Sequence, residues 1–254
     1  MVREALGKHY IGMNKHFRFR GEEPGRLENF SDAVFALAIT LLLISTSAPT
    51  TFEQIKKFTW ELIPFCGCIV LIVLIWHEHF VFYYRYGIRN TKVIFLNTLF
   101  LIIVLFYVYP LKYLLKFLFL LILVRVFGHD GFATELSSMI SSREDTSQLM
   151  IIYGLGAACI FFVLALMYRY ALRSAHLLNL NKIEEFDTRH RMYSNFLMAA
   201  VPFVSALFAF FFSNNHQLVG LISGPIYFLY TPVMFFFNHK MMKRRNKLLE
   251  ETIE

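Results

Sequence analysis

Six stretches of this chain are too apolar and too free of charge to fit any fold that sits in water. Ala33 to Phe52, Val93 to Leu111, Thr146 to Tyr168, Met192 to Asn215 and Gln217 to Asn238 contain no Asp, Glu, Lys or Arg. Leu62 to Trp76 is equally bare before it meets His77-Glu78-His79 and runs on to Tyr84. A helix crosses the hydrocarbon core of a bilayer with about 20 mainly apolar residues. Each stretch is therefore predicted as a transmembrane helix, and the fold class as an all-α integral membrane protein with six spans. The third span continues through Lys112 and Lys116 toward Val124, which leaves its end open. Only 17% of the residues are charged, against about 25% in soluble domains, too few to clothe a water-facing surface.

The placement of the basic residues supports six crossings. Lys and Arg gather on the cytoplasmic side of membrane proteins. Nineteen of the 25 fall in the N-terminal segment, the links after the second and fourth spans, and the C-terminal tail; the remaining six fall on the other side. Five or seven crossings would destroy this asymmetry. The reading is thus a cytoplasmic segment 1–28, a six-helix transmembrane domain 29–239 and a cytoplasmic tail 240–254, multi-pass in the plasma membrane. A net charge of +7 would suggest nucleic acid in a soluble chain, but basic residues flanking apolar runs are the membrane-surface pattern, and no nucleic-acid partner is expected.

Other features read as structure. Cys66, Cys68 and Cys159 lie in apolar runs without ligand spacing and are expected to be small buried hydrophobes. Pro64, Pro110, Pro202, Pro225 and Pro232 lie in or near spans, where neighbouring groups can take up the freed backbone. Gly220, Ser223 and Gly224 offer a small-residue packing face in the sixth span. The polar stretch 128–147 is expected to be an external loop with a short helix.

The first span carries the functional signal. It opens Arg26-Leu27-Glu28-Asn29-Phe30-Ser31-Asp32, where Asn29 can cap the helix with Asp32 at the capping-box position. At ~100° per residue, Ala33, Leu37, Thr40, Leu41, Ile44 and Ala48 form one stripe, with Phe35, Ile39, Leu42 and Thr46 opposite. Asp32 lies away from that stripe and should face the bundle, since a carboxylate in lipid costs several kcal/mol; Arg26, His77 and His79 are candidate partners. Thr40, read alone, bonds back to the carbonyl of Ala36.

Arg26-x-x-x-Phe30-Ser31-Asp32, the run Ala33 to Leu43 that follows, Trp76-x-x-His79-Phe80 and Asn97-x-Leu99-Phe100 together resemble the transmembrane protein 175 family, the lysosomal potassium channels and their bacterial relatives. The motifs cover roughly residues 26 to 110; beyond them only the six-span plan agrees. The resemblance implies a homotetramer in the bilayer with the first span of each subunit lining a central pore for monovalent cations. It implies a constriction at Leu37, Leu41 and Ile44, a selectivity role for Thr40 with K+ passing near it, and no cofactor beyond the permeant ion. It further implies an intrasubunit polar network of Arg26, Phe30, Ser31 and Asp32 with Trp76, His79 and Asn97. The TVGYG filter of ordinary potassium channels is absent from the family, and from this sequence.

Two competing classes fit the sequence less well. An enzyme needs converging catalytic groups, yet the one dense cluster, His77-Glu78-His79, lacks the H-E-x-x-H spacing, and its two imidazoles point ~200° apart on a helix. A secondary transporter favours repeats and charges at the membrane midplane, whereas Asp32 lies at a membrane edge. Proton leak through the same pore is a variant of the channel reading.

Overall fold

The helices Phe52–Tyr86, Thr91–Arg125, Lys182–Phe211 and His216–Ile222 begin where a side chain satisfies a backbone N–H that the first turn leaves unpaired. The computed structural model describes residues 17–44, 50–140 and 143–253. Helix α1 spans Arg26–Ile44; Glu28 reaches back to the N–H of Gly25, and the N–H of Asn29 makes the first turn's bond to the Gly25 carbonyl, 3.0 Å. The helix therefore starts before Asn29, which is not its cap. Thr51 and Gln54 form a capping box at the start of α2, Phe52–Tyr86. Asn90 caps α3, Thr91–Arg125. A 3₁₀ turn, Asp130–Phe132, and the short α4, Ala133–Met139, follow. Helix α5 covers Arg143–Arg173. Asn181 and Glu184 form a second capping box at the start of α6, Lys182–Phe211. The chain closes with α7, His216–Ile222, a 3₁₀ segment, Pro225–Leu229, and α8, Tyr230–Ile253.

Among the described residues, five helical stretches are long and apolar enough to cross a membrane: Arg26–Ile44, Phe52–Tyr86, Thr91–Arg125, Asp145–Arg173 and Lys182–Phe211. The third runs unbroken past Pro110, Lys112 and Lys116, which settles its end. Helices α2 and α3 have 35 residues each, or about 50 Å of rise, well beyond the ~30 Å hydrocarbon core, so their charged ends have room outside it. The part of the first span expected at 45–49, with Thr46, Ala48 and Pro49, lies outside the described residues, as do residues 1–16.

The sixth apolar run is not one helix. Pro225 has no N–H, and its ring excludes a helical carbonyl four residues back. Around it the chain tightens into a 3₁₀ segment, with the Tyr227 N–H donating to Gly224 rather than to Ser223. The Ser223 carbonyl so freed accepts from the Ser205 hydroxyl, 2.9 Å away. Pro202, by contrast, stays inside continuous α6. The carbonyl it leaves unpaired, that of Met198, accepts from the Tyr230 hydroxyl at 2.6 Å.

The core lies where α1, α2, α3 and α5 meet, with Phe35, Phe82, Phe100, Leu164 and Tyr168 wholly or almost wholly buried. In a bilayer, apolar packing gains little from excluding water, so close approach of backbones must supply the contact. Gly154 provides it between α5 and α6: a Cβ there would lie 2.5 Å from the Pro202 carbonyl oxygen. Of the cysteines only Cys68 is buried; Cys66 and Cys159 lie exposed on the apolar outside of the subunit, because a lipid-facing surface accepts a small hydrophobe as readily as a core does.

Residues 17–21 cross the end of α2. The N–H groups of Arg20 and Gly21 donate to the carbonyls of Arg85 and Tyr84, 3.3 and 3.1 Å away. The turn needs Gly87 at φ +58°, the left-handed region that suits glycine. The Arg20 guanidinium grips Glu184 at 2.7 Å and the Leu178 carbonyl at 2.8 Å, tying this strap to the start of α6.

Candidate functional site: the two faces of the first helix

Ser31, Phe35, Ala38 and Leu42 lie at i, i+4, i+7 and i+11, and all are buried. This is the face α1 turns to α2 and α3. Buried polar groups need partners, and the hydrogen bonds here form a directed chain. The Ser31 hydroxyl donates to the Leu27 carbonyl at 2.8 Å, so its oxygen accepts from Nδ2 of Asn97 at 3.0 Å. That places Oδ1 of Asn97 toward Nε2 of His79, 2.6 Å away, and the imidazole proton must sit on Nε2. The His79 ring stacks on Phe100 with centroids 5.2 Å apart and 7° between planes. Side chains from three helices thus converge on one closed knot, Ser31, His79, Asn97 and Phe100 each at 2% exposure or less.

Asp32 finds its partner on α2. Nε1 of Trp76 donates to Oδ1 at 2.7 Å, rather than any of the three candidates Arg26, His77 and His79. Arg26 precedes Asp32 by six positions, which turns it ~120° away around the helix. Arg26 and Phe30 stand apart from the knot: both are exposed, and Arg26 makes no side-chain hydrogen bond or ion pair among the described residues. Within one subunit the network therefore comprises Ser31, Asp32, Trp76, His79 and Asn97.

The other face of α1 is bare. Ala33, Leu37, Thr40 and Ile44 are exposed and Leu41 half-buried; Leu37 and Ile44 show 51% and 71% of their surface. No charge interrupts this stripe. The Thr40 hydroxyl donates to the Ala36 carbonyl at 2.9 Å, the back-bond expected of a membrane threonine. Spending the proton on Ala36 leaves the oxygen lone pairs facing outward.

Several charged contacts have no signature in the sequence, because their partners are far apart along it. The Lys112 ammonium caps the end of α1 at the Leu42 carbonyl, 3.0 Å. Lys116 sits between Glu61 and Glu135 at 2.7 and 2.8 Å. Arg191 reaches both oxygens of Glu78, 3.0 and 3.1 Å away, and Arg245 pairs with Asp187 at 2.8 Å.

Apolar helices of bilayer length, joined through a buried polar knot, define an all-α integral membrane protein. Its first helix keeps one uncharged face unpacked within the subunit. The chain belongs to the family of the endosomal/lysosomal potassium channel TMEM175, whose sequence model matches residues 26–107. It is 41% identical over 244 residues to a potassium channel of Marivirga tractuosa, an alignment that takes in 95% of this chain and 97% of that one. Its structure is similar to that of a Thr-to-Ala variant of the potassium channel MtTMEM175, crystallised with a nanobody–MBP fusion protein. The TM-score is 0.80 at 40% identity, covering 91% of this chain and 99% of that one. The segment matched by the family model holds α1, α2 and the first half of α3, and so every member of the knot.

Proposed function

We propose that this protein is a potassium-selective channel in which four copies of the subunit bring their first helices around a central pore. The observation that carries the reading is the asymmetry of α1. One face is closed by Phe35, Ala38 and Leu42, while Leu37, Thr40 and Ile44 stand uncovered. A membrane helix with a bare stripe needs a partner, and closed rotational symmetry supplies the same stripe from each copy. Membership of a potassium-channel family and the similarity, in sequence and in structure, to proteins named as potassium channels support the same conclusion.

In this reading Leu37, Leu41 and Ile44 form apolar rings that offer an ion no ligands, gate by dewetting and oblige the ion to shed water. Potassium sheds water more readily than sodium, so such a constriction favours it. Thr40 adds a ring of oxygens that replaces part of the lost hydration and sharpens the preference. Ser31, Asn97, His79 and the Asp32–Trp76 pair hold the helix in register against α2 and α3; Arg26 and Phe30, exposed within one subunit, are free to meet the neighbouring copy. The distribution of Lys and Arg supports cytoplasmic termini in a plasma membrane, with the broken α7–α8 segment as the sixth passage.

Planar-bilayer recording of the purified protein tests this. Unitary currents with a reversal potential displaced toward the potassium equilibrium in mixed potassium/sodium solutions are expected. Ion flux without unitary currents would make the protein a transporter, and a reversal potential that follows only the proton gradient would make it a proton leak.

A further inference from the structure

We propose that the cleft between α2, α6 and α8 is a binding site for a phosphate group, supplied by an anionic phospholipid. Helix α8 packs on α6 and makes no contact with α2, and a cavity of about 450 Å³ lies in the gap, with Phe161 of α5 in its wall. Three guanidinium groups line it, Arg85, Arg191 and Arg245, against two carboxylates, Glu78 and Asp187. Arg191 is paired with Glu78 and Arg245 with Asp187, so among the described residues Arg85 has no carboxylate and the cavity lining carries an excess positive charge. Arg85 is 3% exposed, with its guanidinium over the Phe17 ring at 4.7 Å.

The hydrogen-bond inventory points to the ligand. Nε and Nη1 of Arg85 and Nη2 of Arg245 are buried and have no partner among the described residues. Buried donors on charged groups are rarely left unpaired. These three N–H-bearing atoms belong to guanidiniums on two different helices. A planar carboxylate is matched by one guanidinium fork; a lipid phosphodiester spreads its charge over two free oxygens set tetrahedrally beside two ester oxygens, and can be met by guanidiniums from two directions. The cleft is also polarised along its length. Arg245 of α8 pairs with Asp187 of α6 at one end, and Met198 and Met234 line the wall eleven residues further along each helix, roughly 16 Å away. A cleft whose guanidiniums gather at one end, beside Met242, and whose far end is lined by Met198 and Met234 suits a headgroup followed by an acyl chain, and basic pockets between membrane helices are where anionic headgroups bind.

The test uses the full-length protein, purified in neutral detergent and stripped of lipid. Binding is followed by native mass spectrometry and thermal unfolding, with phosphatidylglycerol, phosphatidylcholine or inorganic phosphate added. Phosphatidylglycerol should bind and protect the parent and phosphatidylcholine should not. Arg85→Gln should weaken binding about tenfold, the scale of losing a charge-assisted pair. Ser194→Asp, which adds a carboxylate to the cavity wall without removing an ion pair, should do the same and carries the test if Arg85→Gln does not fold. Lys240→Gln, an exposed charge on α8 outside the cavity, should behave as the parent. Protection by inorganic phosphate at matching concentration, lost in the same two variants, supports the phosphate site and assigns it to a free anion. Equal binding of both lipids, or equal affinity in the parent, Arg85→Gln and Ser194→Asp, overturns the proposal.

Discussion

Nδ2 of Asn97 donates to the hydroxyl oxygen of Ser31 across 3.0 Å, at a point where neither side chain has any exposed surface. The bond joins α3 to α1, and through Oδ1 of Asn97 it continues to His79 on α2. Three helices are thus held by one carboxamide that uses both of its ends. Removing Asn97 strands a donor on His79 and the acceptor on Ser31, whereas removing the Ser31 hydroxyl strands only an amide N–H. Asn97→Ala should therefore lower stability by about 2–3 kcal/mol and Ser31→Ala by about 1 kcal/mol. Thermal unfolding in detergent checks the order, and equal losses would mean that the three groups are not acting as a chain.

A second prediction concerns the indole–carboxylate contact beside the knot. Trp76→Phe keeps the aromatic stack on Phe80, whose centroid is 5.5 Å away, but removes the donor to Asp32. The carboxylate then stands at a membrane edge without that partner, which is costly. Assembly in detergent should fall, read as the fraction of the proposed tetramer by mass measurement, while any channel that forms keeps its ion preference. Asp32→Asn, which retains an acceptor oxygen, should assemble better than Asp32→Ala. A changed reversal potential in Trp76→Phe would instead place Asp32 in the ion path.

The break in the last apolar run and the intact helix around Pro202 lead to a double-substitution test. Tyr230 supplies to Met198 the hydrogen bond that Pro202 cannot. Tyr230→Phe should cost about 1 kcal/mol in the parent. With Pro202→Ala present, an alanine N–H is available to Met198 and the same substitution should cost measurably less. Equal costs in both backgrounds would show that the hydroxyl is not substituting for the missing N–H.

Much of this arrangement was legible in the sequence, and the limits have physical causes. Charge-free runs mark the spans because hydrocarbon tolerates little else, and five of them fall on helices long and apolar enough to cross a membrane. The sixth reads as one span because hydropathy does not register that Gly224-Pro225 interrupts the hydrogen-bond ladder. The stripe of α1 follows from helical geometry alone; which of its faces is buried is known only from the packed fold. The members of the knot came from the family resemblance, and their pairing was not readable: Trp76 lies 44 residues from Asp32, and no periodicity links them. Glu78 with Arg191, and the strap of residues 17–21 over α2, are likewise long-range contacts that only the packed fold reveals.

The last prediction separates Thr40 from the apolar residues beside it. Leu37 and Ile44 lie about one turn on either side of Thr40 on the uncovered stripe. Leucine and isoleucine can only impose a dehydration barrier, whereas a threonine whose proton is committed to Ala36 presents oxygen to a passing ion. Thr40→Ala should therefore leave a conducting pore in which potassium and sodium permeabilities draw closer together, while Thr40→Ser, which keeps the oxygen, should stay near the parent. Leu37→Asn or Ile44→Asn should wet the constriction, raise unitary current several-fold on the scale of removing about 1 kcal/mol of barrier, and weaken selectivity because ions pass with more of their water. Reversal potential and unitary current under bi-ionic conditions report both quantities for each variant. If Thr40→Ala matches the parent, the hydroxyl serves only its own helix. If the Asn variants also leave the current unchanged, the bare face of α1 does not line the pore and must instead meet lipid or another helix.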